Sequence, residues 1–263
     1  MSKKVSVVIR NKNQEKNLEF SLFNLSKRYS EDIDEIVVID NDSTDNSRLI
    51  GEKYGVKWVN ISDFGYGKSA NLAAKSASHE IVVIFSAHAF PISHDFFKLI
   101  KNRFEENPKL AGVRCIHTER DYKMYINGVA PEDSPIDSAL LFAGSAFSKK
   151  VWEKIPFKDS IVTFEDKEWS LRVLKEGYEL DLVPAIFCYD LKRTPASYYF
   201  RFKTETQGNY DLWGTKIRFS EVAKKIVFGH LGLVKMFFVE TYFMAKTNFF
   251  LIYFILFKQS SKK

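Results

Sequence analysis

Cysteine is nearly absent from this chain: Cys115 and Cys188 are the only two in 263 residues. Each lies in an apolar run, so the expectation is two reduced core thiols in a cytosolic protein, and a disulfide-stapled scaffold is excluded. Long hydrophobic runs are missing too. The longest, FFLIYFILF at 249–257, falls short of the roughly 20 residues a membrane-spanning helix needs. The N-terminus, MSKKVSVVIRNK, meets charge too soon to be a secretion signal, which points to the cytoplasm. Acid is in deficit, with 33 Asp and Glu against 39 Lys and Arg for a net charge of +6, and this favours an anionic partner. A nucleotide diphosphate, an acidic membrane surface and nucleic acid all meet that description; the lack of any DNA- or RNA-binding signature puts nucleic acid last. What remains is a globular composition, 45% hydrophobic and 27% charged, large enough for one sizeable core or one domain with an appendage.

The first half alternates strand and helix. Apolar, β-branched runs at 5–9, 35–40, 57–61 and 80–85 read as strands. Helical patterns at 17–27, 46–54, 68–77 and 95–106 separate them. That order implies an α/β fold with a mostly parallel central sheet covered by helices on both faces. Right-handed crossovers bring the carboxyl ends of the strands to one edge, so residues 9–13, 40–45 and 86–91 are expected to share a crevice, where ligands of open α/β sheets bind. The second half is less regular. Residues 117–137 read as a long mobile loop, 140–148 and 179–189 as extended, and 164–177 as a helix opened by acids and closed by Gly177.

Three segments carry the chemistry. VVIRNKN ends the first strand, VVIDNDSTDNS (37–47) runs from a buried strand into a cluster of short oxygen-bearing side chains, and FEDKEW (164–169) places paired acids at a helix start. Taken singly, the second is also a capped turn and the third a dipole-favoured helix N-terminus. In this order and spacing, across roughly residues 5–190, the set resembles glycosyltransferase family 2, the inverting nucleotide-sugar enzymes of GT-A fold. The resemblance implies that Asn11 and Asp40, with Asp42, contact the nucleotide, Asp40 at the base. A buried carboxylate accepts from an imide N–H, so uracil or thymine is expected, in a UDP or dTDP donor. GYGKSANLAAKSA (65–77) resembles the family's next segment and offers Lys68 and Asn71. Arg10 reads as a surface or loop charge.

The resemblance further implies that Asp166 is the general base. Repulsion from Glu165 is expected to raise the proton affinity of Asp166, which suits a base, and Trp169, one turn on, is a candidate platform for the acceptor sugar. A departure lies at FSAHAFP (85–91), where the family usually has Asp-x-Asp holding a divalent metal. Here Ser86 and His88 occupy those places. Imidazole is a competent ligand for Mn²⁺-like ions, so a divalent cation, Mn or Mg, remains open, with Asp190 as a further ligand. Without a metal, Arg193 and Lys203 are the candidates to neutralise the leaving diphosphate. The family's processive members carry Gln-x-x-Arg-Trp; its absence favours addition of a single sugar to a glycan or lipid-linked acceptor.

Two rival readings stay open: an inactive sugar-nucleotide or glycan-binding module, suggested by the missing Asp-x-Asp, and a P-loop phosphotransferase, suggested by GKS at 67–69. The P-loop needs a glycine where Ser62 stands. The expected organisation is a catalytic domain over 1–220 and an amphipathic helical segment over 221–263. The aromatic, lysine-flanked stretch 225–257 suits peripheral contact with the inner face of a cell membrane.

Overall fold

The computed structural model of the protein describes residues 3–190 and 194–259. They divide into two compact units, the first running to Leu212 and the second from Trp213. The first unit follows the expected alternation through its first half: β1 (Val5–Asn11), α1 (Glu15–Arg28), β2 (Glu35–Asp40), α2 (Ser47–Lys53), β3 (Lys57–Asn60), α3 (Tyr66–Ser76), β4 (Ile81–Ser86), a short β5 (Ala89–Pro91) and α4 (Phe96–Glu106). It continues with β6 (Leu110–Ile116), α5 (Glu119–Ile126), β7 (Gly144–Ser148), α6 (Lys149–Lys154), α7 (Glu165–Lys175), β8 (Glu179–Tyr189) and α8 (Pro195–Trp213).

The strands form one sheet in the order β3-β2-β1-β4-β7-β6-β8-β5. The run β3-β2-β1-β4 is parallel throughout, as the alternation with helices requires. Beyond it β7 lies antiparallel to both neighbours, while β6 and β8 pair parallel. The sheet is therefore mixed in its second half.

Strand residues alternate faces, and this divides the core. Val5, Val7 and Ile9 of β1 pack with Leu18, Leu22 and Leu25 of α1 and Phe96, Phe97 and Ile100 of α4. On the other face Val8, Val37, Ile39, Val82 and Ile84 meet Ala70, Ala73 and Ala74 of α3 and Trp169 and Val173 of α7. Helices thus cover both faces. Of the thiols, Cys115 is buried, but Cys188 is exposed, contrary to the expectation of two core thiols. It lies in β8 beside the edge strand β5, in register with Phe90.

The expected loop at 117–137 is in part a helix, α5. Thr118 Oγ1 accepts from the Asp121 amide and Asp121 Oδ2 from the Thr118 amide, a capping box that stops fraying at the helix start.

The second unit is dominated by α9 (Phe219–Tyr253), which continues into a π-helical turn at Phe254–Gln259. The 35 residues of α9 include none that is buried. The expected amphipathicity is not there. At about 100° per residue, Leu231, Val239, Met236, Phe237 and Val234 fall on successive sides of the cylinder, all of them exposed. Among the described residues no helix is long and apolar enough to cross a membrane.

Candidate active site

The carboxyl ends of β1, β2 and β4 converge. Asn11 and Asp40 are register partners, both only 4% exposed, and Asn11 Nδ2 donates to Asp40 Oδ1 at 2.8 Å. Ser43 closes the loop after β2 over this pair: its hydroxyl donates to Asp40 Oδ1 at 2.6 Å and its amide to Oδ2 at 2.8 Å. Asn13 ties the β1 loop in turn, donating from its amide to Ser43 Oγ and accepting from the Thr44 amide. The Ala87 amide donates to the Arg10 carbonyl, which brings the β4 end to the same edge. Residues 9–13, 40–45 and 86–87 therefore adjoin as expected.

Asn11 Oδ1 is buried and has no hydrogen-bond partner. An orphaned buried acceptor of that kind costs roughly 1–3 kcal/mol, and it sits at a crevice. Asp42 is exposed at the tip of the β2 loop with φ +47°. Among the described non-glycine residues only Asn13, Asp42 and Phe164 have positive φ. All three flank this site, where such conformations tend to collect.

Phe164 precedes the acid pair. Its left-handed turn swings the chain so that Glu165 and Asp166 open α7 with their side chains buried, at 4% and 8% exposure. Asp166 Oδ2 accepts from the Phe142 amide at 3.0 Å and Oδ1 from the Lys167 amide at 2.8 Å. A carboxylate offers about four acceptor positions, so two remain. The structure places the upward shift on Glu165, not on the residue expected to carry it. Its burial, and after that the Asp166 charge, push its carboxyl up to about 7 against the opposing pull of Arg10.

Arg10 is not the surface or loop charge its sequence position suggests. As the residue after Ile9, it projects to the Val8 face, towards α3 and α7. There its side chain is 12% exposed and pairs with Glu165 Oε1 at 3.0 Å. Strand alternation was the signal that placed it; the side chain type alone misled.

Two further residues require correction. Trp169 cannot serve as an acceptor platform, because it is 0% exposed. It packs on Phe147 and Phe157 and donates from its indole nitrogen to the Ile155 carbonyl at 2.6 Å. Asn71 cannot contact the nucleotide, because its amide is fully used: Nδ2 donates to the Phe157 carbonyl and Asp159, and Oδ1 accepts from Trp152 Nε1 and the Phe157 amide. Lys68 is half-buried and paired with Asp63, which raises its pKa. The glycine of GKS has a packing reason: a Cβ on Gly67 would collide with the Lys158 carbonyl. The glycine thus admits the 157–159 loop to Asn71, and no P-loop is required to account for it.

The antiparallel pairing of β5 with β8 sets His88 beside Asp190, whose amide donates to the His88 carbonyl at 2.8 Å. The His88 ring meets Tyr189 edge-on at 4.8 Å, and Ser86 ends β4 two residues earlier. His117 also reaches this corner, stacked on Phe187 at 5.1 Å and 2.6 Å from Asp121. Burial works to raise the Asp121 pKa, but His117, Arg114 and Thr118 outweigh it and hold the carboxyl well below the usual range. No motif announces this cluster of Arg114, His117 and Asp121. His88 and Asp190 are joined here through their backbones, and an imidazole and a carboxylate are each donors that an Mn²⁺-like ion accepts. Among the described residues there is no cluster of three His, Cys, Asp or Glu side chains. Lys203 lies exposed on α8, and Arg193 falls outside the described residues.

With the geometry in place, the comparisons with known proteins are specific. The family model for glycosyl transferase family 2 matches residues 6–140, more than half of the chain. A dolichyl N-acetyl-alpha-D-glucosaminyl phosphate 3-beta-D-2,3-diacetamido-2,3-dideoxy-beta-D-glucuronosyltransferase of Methanococcus voltae is 29% identical over 231 residues, covering 75% of this chain and 67% of that protein. Among solved structures, the mannosyltransferase PcManGT of Pyrobaculum calidifontis, in complex with GDP-Man and Mn²⁺, superposes with a TM-score of 0.65 at 21% identity over 79% of this chain. The chain spans 62% of that protein's length. Glucosyl-3-phosphoglycerate synthase of Mycobacterium tuberculosis, with Mn²⁺, UDP and glucosyl-3-phosphoglycerate, gives 0.61 at 15% identity, covering 82% of this chain and 81% of that one. The convergent strand ends, the paired acids opening α7 and these matches lead to one assignment: the chain belongs to glycosyl transferase family 2 and is a glycosyltransferase of GT-A fold.

Proposed function

We propose that the protein transfers one sugar, with inversion, from a UDP- or dTDP-sugar to a hydroxyl of a glycan or lipid-linked acceptor. The observation that carries this reading is Asp166, a single carboxylate held by two backbone amides with acceptor capacity to spare. In the proposed step the acceptor oxygen forms a bond to the anomeric carbon while the bond from that carbon to the diphosphate breaks. The electron pair leaves with the nucleotide diphosphate, and the hydroxyl proton passes to Asp166. One displacement inverts the configuration and needs no enzyme nucleophile.

The base subsite would be the Asn11–Asp40 pair. Both Asp40 oxygens already accept bonds, and an imide N–H of uracil or thymine would satisfy the orphaned Asn11 oxygen. Asp42, exposed, and Lys68, half-buried, would flank the nucleotide. His88 and Asp190, with Ser86 nearby, would hold a divalent cation, which when bound supplies positive charge to the departing diphosphate. The Mn²⁺ complexes of the two structural neighbours support that reading. A lipid-linked acceptor is supported by the dolichyl-phosphate substrate named for the Methanococcus voltae relative. An exposed, apolar α9 carrying Lys224, Lys225, Lys235 and Lys246 would supply peripheral contact with an anionic membrane.

Asp166→Asn tests the assignment. Transfer should fall by several orders of magnitude while UDP affinity is retained. Near-normal turnover in that variant would remove Asp166 from the mechanism.

A further inference from the structure

The acid pair at the start of α7 is tied to β1 by a closed ring of bonds. Arg10 Nη1 donates to Glu165 Oε1 at 3.0 Å, and Nη2 donates to the Phe142 carbonyl at 2.5 Å. The amide of the same Phe142 donates to Asp166 Oδ2 at 3.0 Å, and Glu165 and Asp166 are chain neighbours. One guanidinium therefore reaches both acids, the first directly and the second through a single residue's backbone. Its own position is fixed from the other side by the Tyr66 ring, 5.7 Å from the guanidinium carbon, and by Ser69 Oγ at 3.4 Å.

The start of α7 needs such a tie. Its N-cap, Phe164, is left-handed and supplies no side-chain cap, and the bond that Asp166 accepts from the Lys167 amide stays within the helix and does not tie it to the sheet. Only a planar, forked cation can reach two acceptors in this way; a lysine offers one point of charge. Arg10 and Glu165 are 12% and 5% exposed, so solvent cannot replace the missing arm.

We propose that Arg10 is a positioning residue for glycosyl transfer, fixing Asp166 through the Phe142 backbone and anchoring Glu165 beside it. This rests on Asp166 being the base. Three ionisable groups face Glu165: Arg10 from β1, Asp166 on its own helix and Tyr66 from α3. Protonation of Glu165 breaks the ion pair and loosens the ring, so turnover falls on the acid side of about pH 7. Arg10 opposes the upward push on Glu165, so its removal raises the Glu165 titration, and with no ion pair left to break the acid limb disappears from turnover.

The test uses full-length Arg10→Lys and Arg10→Ala, alone and in a Glu165→Gln background. Turnover is read as nucleotide release from whichever UDP-, dTDP- or GDP-sugar most raises the wild-type melting temperature. Affinity is read with UDP, and the Glu165 carboxyl is followed by carbon NMR without any substrate. The expected result is a loss of about 100-fold in turnover, the scale of a 1 Å misplacement, with UDP affinity within about twofold. In Arg10→Ala the Glu165 titration should move to higher pH and the acid limb should be lost, as it should be in Glu165→Gln. Unchanged turnover in Arg10→Lys overturns the proposal. A loss in Arg10→Ala that leaves the acid limb and the Glu165 titration unmoved, or a loss in either variant that takes UDP affinity with it, overturns it as well, since general damage would do the same. If Arg10→Ala does not fold, Arg10→Lys decides by its turnover against its UDP affinity, since it keeps the charge and loses only the fork. Asp166→Asn in the same series separates the two claims, because normal turnover there condemns the base and not the tie.

Discussion

Replacing Trp169 by alanine distinguishes a core residue from a sugar platform. A buried tryptophan removes about 150–250 Å² from water, roughly 4–6 kcal/mol at 25 cal/mol/Å². Measured Trp-to-Ala losses run about 3–5 kcal/mol, since the alanine keeps its own methyl buried and burial counted from an extended chain is an upper bound. The Ile155 carbonyl, which now accepts from the indole at 2.6 Å, would also lose its donor. A net loss of about 4 kcal/mol is expected, which for a unit of this size lowers the melting temperature by roughly 8–16 °C. Trp169→Phe keeps an aromatic ring against Phe147 and Phe157 and should cost about 1–2 kcal/mol. The assay is thermal unfolding of the full chain with and without UDP, alongside acceptor kinetics. If Trp169→Ala melts like the wild type and only the acceptor KM rises, the side chain faces the acceptor and the packing account is wrong.

Three other outcomes follow from the same structure. Gly67→Ala should destabilise by about 1–3 kcal/mol through the clash with the Lys158 carbonyl, seen as a lower urea midpoint; wild-type stability would mean the 157–159 loop does not rest on α3. Chelation with EDTA and His88→Ala should each depress transfer, and added Mn²⁺ should restore the chelated wild type; indifference to both treatments would remove the cation from the site. Charge reversal of Lys224, Lys235 and Lys246 to glutamate should weaken sedimentation with anionic vesicles at low salt, at about 1 kcal/mol per basic residue lost; wild-type binding in that variant would move the membrane contact away from α9.

The parallel half of the sheet was legible because its strands are continuous β-branched runs between helical patterns, and VVIDNDSTDNS announced its own loop. Strand β6 was not expected, since Arg114 in its middle reads as a surface charge until Asp121 and the Ala139 carbonyl are seen to receive it. α8 was missed because its aromatics lie exposed, with little of the apolar spacing that marks a packed helix. Within the site, Asn11 and Asp40 were found from their place after two strands, and they touch. Trp169 and Asn71 were misjudged for one physical reason: spacing along a helix gives a face, and only the sheet and the 155–159 loop decide whether that face meets the crevice or the core. Arg10 was misjudged in the opposite sense, since its partner lies 155 residues away.

The anomeric configuration of the product tests the central claim most directly. With an α-linked UDP- or dTDP-sugar as donor, the proton coupling at the anomeric carbon of the product reports which face the acceptor attacked. A single base and a single displacement predict a β-linked product. An α-linked product would contradict the account, because it requires either a second displacement or attack from the side of the leaving diphosphate, and Asp166 as sole base provides for neither.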